Sequence, residues 1–175
     1  MLRRHSLLPL ILVLVFAAPV TAEAQQRAET KAPQFADYPV PVIGKVRART
    51  PVFPRGLSEE ERLRLTDAWS AEDPVNAAGR YVLVTYGCGS TCVSAGFIDA
   101  VTGAVNPLPF SVSGWREVPE DFIPIETRAD SRLVIINGAR NETGVVGRHY
   151  YLLDRGKLRH LRTVDTKGDF LRKAD

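Results

Sequence analysis

Between Tyr81 and Leu161 the chain is cut into short segments rich in β-branched and aromatic residues, bounded by Gly, Asn, Asp or Pro. The segments are Tyr81–Tyr86, Val93–Asp99, Ala104-Val105, Phe122–Ile125, Arg132–Ile136, His149–Leu153 and Lys157–Leu161. Pieces this short, with turn residues at their ends, suit pleated strands better than helices. The pattern predicts a mainly β fold built of antiparallel meanders.

The segments also recur. Tyr81–Gly87 is followed by a polar loop, a strand ending at Asp99 and a turn at Thr102-Gly103. Arg132–Gly138 is followed by a polar loop, a strand ending at Asp154 and a turn at Arg155-Gly156. The offset is 51 residues at the first strand and 53 at the turn. Each half reads as a three-stranded meander. A period near 50 is that of propeller blades, but two blades cannot close a ring. The spacing fits two blade-like repeats outside a closed propeller, and it equally fits two ordinary meanders whose lengths coincide.

One helix is expected, as a cover for the sheet. Ser58-Glu59-Glu60-Glu61 is a capping box, in which the Ser58 hydroxyl serves the third helical amide and Glu61 reaches back to the Ser58 amide. Three acids in the first turn suit the helix dipole. The helix should run to about Ala71, with Leu65, Ala68 and Trp69 on one face, and stop at Asp73-Pro74.

The N-terminus has the three parts of a secretory signal: the cationic Arg3-Arg4, an apolar run from Leu7 to Ala18, and small residues at Ala22-Glu23-Ala24. The run has 12 residues and includes Pro9, against about 20 for a spanning helix. Residues 1–24 are expected to be a cleaved signal peptide, which leaves no membrane span. Residues 25–37 read as a flexible arm, and 38–175 as a single mainly β domain. Within it, Tyr38 to Pro54 reads as Pro-rich extended backbone with one edge strand near Val42-Ile43. Loss of residues 1–24 lowers the net charge from +3 to +2, with 21 basic and 19 acidic residues remaining. So weak a charge, without a dense Lys/Arg run, gives no footing for nucleic-acid binding. The expected location is periplasmic or secreted.

The chain has two cysteines, Cys88 and Cys92, within Tyr86-Gly87-Cys88-Gly89-Ser90-Thr91-Cys92. Exported thiols this close are expected to pair. One reading is a structural staple on a strand connection. A second is a redox-active pair, although three residues intervene where thiol oxidoreductases keep two, and strands rather than a helix flank the loop. A third is a rigid recognition loop presenting Gly87, Gly89, Ser90 and Thr91. No companion pair at ligand spacing supports a metal, and no cofactor motif is present.

Three runs around this site form a pattern: Asn76-Ala-Ala-Gly-Arg-Tyr81, Thr85-Tyr-Gly-Cys-Gly-Ser-Thr-Cys92 and Ile98-Asp-Ala-Val-Thr-Gly-Ala-Val105. With Asp130-Ser-Arg-Leu133, they resemble a family of uncharacterised secreted bacterial proteins that share Gly-Cys-Gly-x-x-Cys ahead of Asp-x-x-Thr-Gly-x-Val. The resemblance spans about residues 74–160 and implies a bacterial, periplasmic protein without implying an activity. Ala77, Arg80 and Tyr86 depart from the Phe, His and Trp of that pattern.

Other residues give weaker signals. His149, the centre of a conceivable hydrolase, has no nucleophile-elbow pattern to join, and no residue is assigned as catalytic. Asp99 and Asp154 suit turn capping. Phe110 and Trp115 lie in the connection from Pro107 to Pro124, which reads either as a binding loop or, more commonly for such residues, as an anchor to the core. The expectation is therefore a non-enzymatic exported binding or structural protein of the bacterial envelope, with an envelope protein or other envelope component as partner. Thiol–disulfide redox chemistry at Cys88/Cys92 is the alternative, and a periplasmic hydrolase is a fainter one.

Overall fold

The strands predicted from composition pair in antiparallel fashion along most of their length. The structure, a computed structural model, describes residues 31–44, 49–70 and 73–170. The signal segment 1–24 and residues 25–30 of the expected arm lie outside the described residues. Among the described residues there are eight strands: β1 (Tyr81–Gly89), β2 (Cys92–Asp99), β3 (Val105–Pro107), β4 (Val112–Ser113), β5 (Ile125–Arg128), β6 (Ser131–Arg140), β7 (Thr143–Asp154) and β8 (Lys157–Asp165). They form one open sheet in the order β1-β2-β4-β6-β7-β8, with β3 beside β2 and β5 beside β6.

The two expected meanders are β1-β2-β3 and β6-β7-β8. They share one sheet because β4 joins them: Val112 pairs with Val93 on one side and Arg140 on the other. Alternation along the strands then sorts the side chains into layers. Tyr81 and Leu83, Ala95 and Phe97, Val134 and Ile136, and Tyr151 and Leu153 point into one central cluster between the meanders. Val82, Val84 and Ile98 face the opposite way and meet Leu65. Leu133, Tyr150 and Leu152 meet Ala32, Phe35 and Tyr38 on the far face of the second meander.

The expected helix, α1, spans Glu59–Asp67. Its capping box forms as predicted: Glu61 N donates to Ser58 Oγ at 3.2 Å, and Ser58 N donates to Glu61 Oε2 at 3.0 Å. Leu65 is fully buried, and Ala68 and Trp69 pack beside it. Gly96 makes this approach possible, since a Cβ there would fall 2.8 Å from Leu65 Cδ2. The helix stops short of the predicted end; Ala71 itself lies outside the described residues. Ser70 N donates to Asp73 Oδ2 at 3.0 Å, and Asp73 N to Ser70 O at 3.2 Å. This local turn captures the amides that a longer helix would need.

Three other expectations need correction. The strand expected at Phe122–Ile125 lies instead at Ile125–Arg128. Pro124 has no N–H to pair, and Phe122 is drawn into ring contacts with Trp115 and Phe170, at 5.6 and 5.2 Å. Val42-Ile43 forms no strand; the extended segment is tied instead by isolated bridges at Pro39 and Val52 and by single bonds such as Ile43 N donating to Gly79 O and Arg49 N to Ala100 O. The last part of the expected arm, Ala32 to Asp37, packs on the domain. Phe35–Asp37 forms a 3-10 turn, Ala32 is buried, and Ser131 Oγ donates to Phe35 O at 2.7 Å.

Candidate functional site

The β1–β2 hairpin ends in a two-residue turn, Ser90-Thr91, with Gly89 paired to Cys92 and Gly87 to Val93. Cys88 is the extra residue, a bulge on β1, and the bulge turns it toward Cys92. The two are bonded as a disulfide, with Cα atoms 5.0 Å apart and χ3 of −86°. Gly87, Cys88, Gly89, Ser90 and Thr91 are all exposed, and Cys92 is half-buried. Arg64 of α1 braces the tip by donating to Gly87 O at 3.0 Å.

The neighbouring hairpin repeats the layout. Its two-residue turn, Asn141-Glu142, stands 51 residues after Ser90-Thr91, and its register breaks between Gly138 and Arg140, again 51 residues on. Ala139 occupies the place of Cys88, and Thr143 that of Cys92. The extra residues differ, however: Gly144, Val145 and Val146 of β7 stand opposite Ala139 alone. Asn141 and Glu142 have φ of 52° and 60°, the left-handed pair that closes a tight hairpin without help. Ser90 and Thr91 supply no such pair, and the disulfide holds that turn covalently.

The two tips are bridged by β4 and bordered by two grooves. One, of about 500 Å³, is lined by Cys88, Tyr86, Phe110 and Asn141 with Glu60 and Arg64 of α1. The other, of about 410 Å³, is lined by Ser90, Thr91 and Cys92 with Ser113, Ala139 and Glu142. The sequence pointed to the stapled tip but not to Arg64 or the second tip. The 51-residue offset was the one signal that marked Asn141-Glu142 as its counterpart.

The remaining sequence candidates are committed to the fold. Asp99 Oδ1 accepts from the amides of Val101 and Thr102 at 2.9 and 3.1 Å, and its carboxylate pairs with Arg80 Nη2 at 2.6 Å. Burial pushes this carboxyl up, but the Arg80 guanidinium and the two amides outweigh it and hold it below its ordinary value. Asp154 instead lies 3.7 Å from Arg155, in a turn already formed by the left-handed Arg155 and Gly156. Phe110 and Trp115 pack against the central cluster.

His149 is fully buried. Its Nε2 lies 2.9 Å from Gly138 O and 3.2 Å from Val145 O, and its Nδ1 lies 2.9 Å from Thr163 Oγ1. Carbonyls only accept, so Nε2 carries the proton and Nδ1 accepts from the Thr163 hydroxyl. Burial lowers its pKa, against the opposing pull of the Gly138 carbonyl. A ring so enclosed has no approach for a substrate, which removes the footing for a hydrolase centred on it. Among the described residues no three His, Cys, Asp or Glu side chains gather to hold a metal ion, and no helix is long and apolar enough to cross a membrane. Compared with known proteins, the chain matches no family model, no curated protein and no solved structure.

Proposed function

We propose that this chain is a non-enzymatic, exported binding or structural protein of the bacterial envelope, and that the Cys88–Cys92-stapled tip is its recognition element. One observation carries the reading: the covalently held tip stands exposed between two grooves, braced by Arg64 from the helix and by β4 from the sheet. A loop held rigid before binding loses little entropy on contact, and loops on a β scaffold commonly carry recognition. The partner is a protein or another component of the envelope. Affinity capture from envelope extract tests this, using the wild type beside a Ser90→Arg/Thr91→Arg variant. A partner held by the wild type and released by the variant is expected. Equal capture by both, or no partner together with turnover of a substrate, refutes the proposal.

The exposure of Cys88 favours one second reading, thiol–disulfide exchange at the same tip. The reduction potential separates the two. A structural bond lies below about −300 mV, and a redox-active one lies above it.

A further inference from the structure

His149 is one end of a chain of hydrogen bonds. Thr163 Oγ1 lies 2.9 Å from His149 Nδ1 and also 2.9 Å from Nε2 of His160, an exposed ring on the same strand as Thr163. The chain thus runs from the surface, through one hydroxyl, to a buried imidazole. That imidazole fills the irregular part of the β6–β7 hairpin: its N–H is shared between Gly138 O at the register break and Val145 O in the bulge. Gly138 has φ of +146°, and a Cβ there would collide with Ser113 O of β4. The carbonyl held by His149 therefore belongs to the residue packed against β4, next to Ala139, which lines the groove beside the stapled tip.

We infer that His149, Thr163 and His160 form an acid-sensing latch, in which the buried ring clamps the β6–β7 bulge while it is neutral and releases it when the chain takes up a second proton. A single added proton is accommodated on either ring. With His160 charged, its Nε2–H donates to Thr163 and the hydroxyl hydrogen still serves His149 Nδ1. With His149 charged instead, the hydroxyl turns and serves His160 Nε2. When both rings are charged, two cations converge on one oxygen, and the hydroxyl hydrogen loses its acceptor in a buried site.

The charged side chains nearby offer no compensation; the Gly138 and Val145 carbonyls favour the charged ring, and burial outweighs them. The groups that face His149 are Arg140 from β6 and His160 from β8, both cationic or able to become so. On its own strand, Tyr151 has its hydroxyl bound by Arg140 Nη1 at 2.7 Å and its ring against His160 at 5.1 Å. Full burial still disfavours the imidazolium of His149, and leaving its site relieves that cost, which frees Gly138 O and Val145 O. Histidine is the side chain whose charge change falls in the range where such switches operate. The latch does not depend on what the neighbouring tip binds.

Nuclear magnetic resonance of the full chain tests the inference, with two readouts followed from pH 8 to 5. The first is the titration midpoint of the His149 ring in the wild type, in His160→Gln, in Thr163→Val and in the double variant. Gln keeps a donor for Thr163 and removes the charge, so the midpoint should rise by about half a unit, the effect of removing one nearby like charge. In the Thr163→Val background the same change should move it by less than about half as much, because the connecting hydroxyl is gone. The second readout is amide exchange at residues 138–146, corrected for the pH dependence of exchange chemistry. Protection there should fall about tenfold through the His149 midpoint, while residues 133–136 stay protected. An unshifted midpoint in His160→Gln, an equal shift with and without Thr163, or unchanged protection at 138–146 would each overturn the latch.

Discussion

Cys88 and Ala139 hold the same place in two hairpins 51 residues apart, and only the first is cross-linked. The second hairpin closes through the left-handed pair Asn141-Glu142, while the first turns on Ser90-Thr91 and carries the disulfide. Covalent closure thus stands in for turn chemistry at the tip proposed to do the binding.

Replacing both cysteines by serine should cost about 2 kcal/mol, the loop-closure entropy of so small a ring. Urea denaturation under oxidising conditions measures it. The loss should be accompanied by faster amide exchange at residues 87–93 and not at residues 140–143. A variant as stable as the wild type would mean that the bond does not serve as a staple.

The two glycines that precede the register breaks should respond oppositely to substitution. Gly87 has open space around its Cβ position and no left-handed φ, so Gly87→Ala should change stability by less than about 0.5 kcal/mol. Gly138 has a positive φ and sits against Ser113 O. Gly138→Ala should cost roughly 2–3 kcal/mol, through backbone strain and a displaced β4. Thermal or urea unfolding of the pair decides this, and equal effects would contradict the close crossing at β4.

Two substitutions test how the helix is held. Ser58→Ala removes the N-cap acceptor of the Glu61 amide and should cost about 1 kcal/mol. Leu65→Ala empties a fully buried site between α1 and Gly96 and should cost roughly 2–5 kcal/mol. Urea unfolding ranks the two, and the order should be Leu65→Ala well above Ser58→Ala.

Stability should fall with acidification in two separate windows. The folded pKa of His149 is depressed below the ordinary 6.5. Over the interval between those values the unfolded chain binds more protons, so stability is fully present above about 6.5 and is lost as pH falls through the folded value. The folded pKa of Asp99 is likewise depressed, below 3.8. Its contribution is present above that value and is lost as pH falls through the folded pKa. Urea midpoints measured from pH 8 to 2 should show both declines. Asp99→Asn should weaken only the lower one, to which Glu61 and Asp130 also contribute, and a stability flat from pH 8 to 5 would contradict the buried neutral His149.

Much of the architecture was legible in local pattern. Strand segments bounded by turn residues, the capping box at Ser58, the pairing of Cys88 with Cys92 and the Asp99 turn each depend on neighbours a few residues away, where side-chain chemistry acts directly on the backbone. The 51-residue offset was visible, but the second tip at Asn141-Glu142 was not read from it. Contacts between distant residues were decided only by the tertiary structure. β4 has two residues and hence no period to read, so its pairing with both β2 and β6 comes from the packing of the central cluster. The reach of Arg64 to Gly87, and the chain from His160 through Thr163 to His149, depend on cross-strand register. Burying one face of each strand sets that register, because a slip of one residue would turn the whole apolar set toward water.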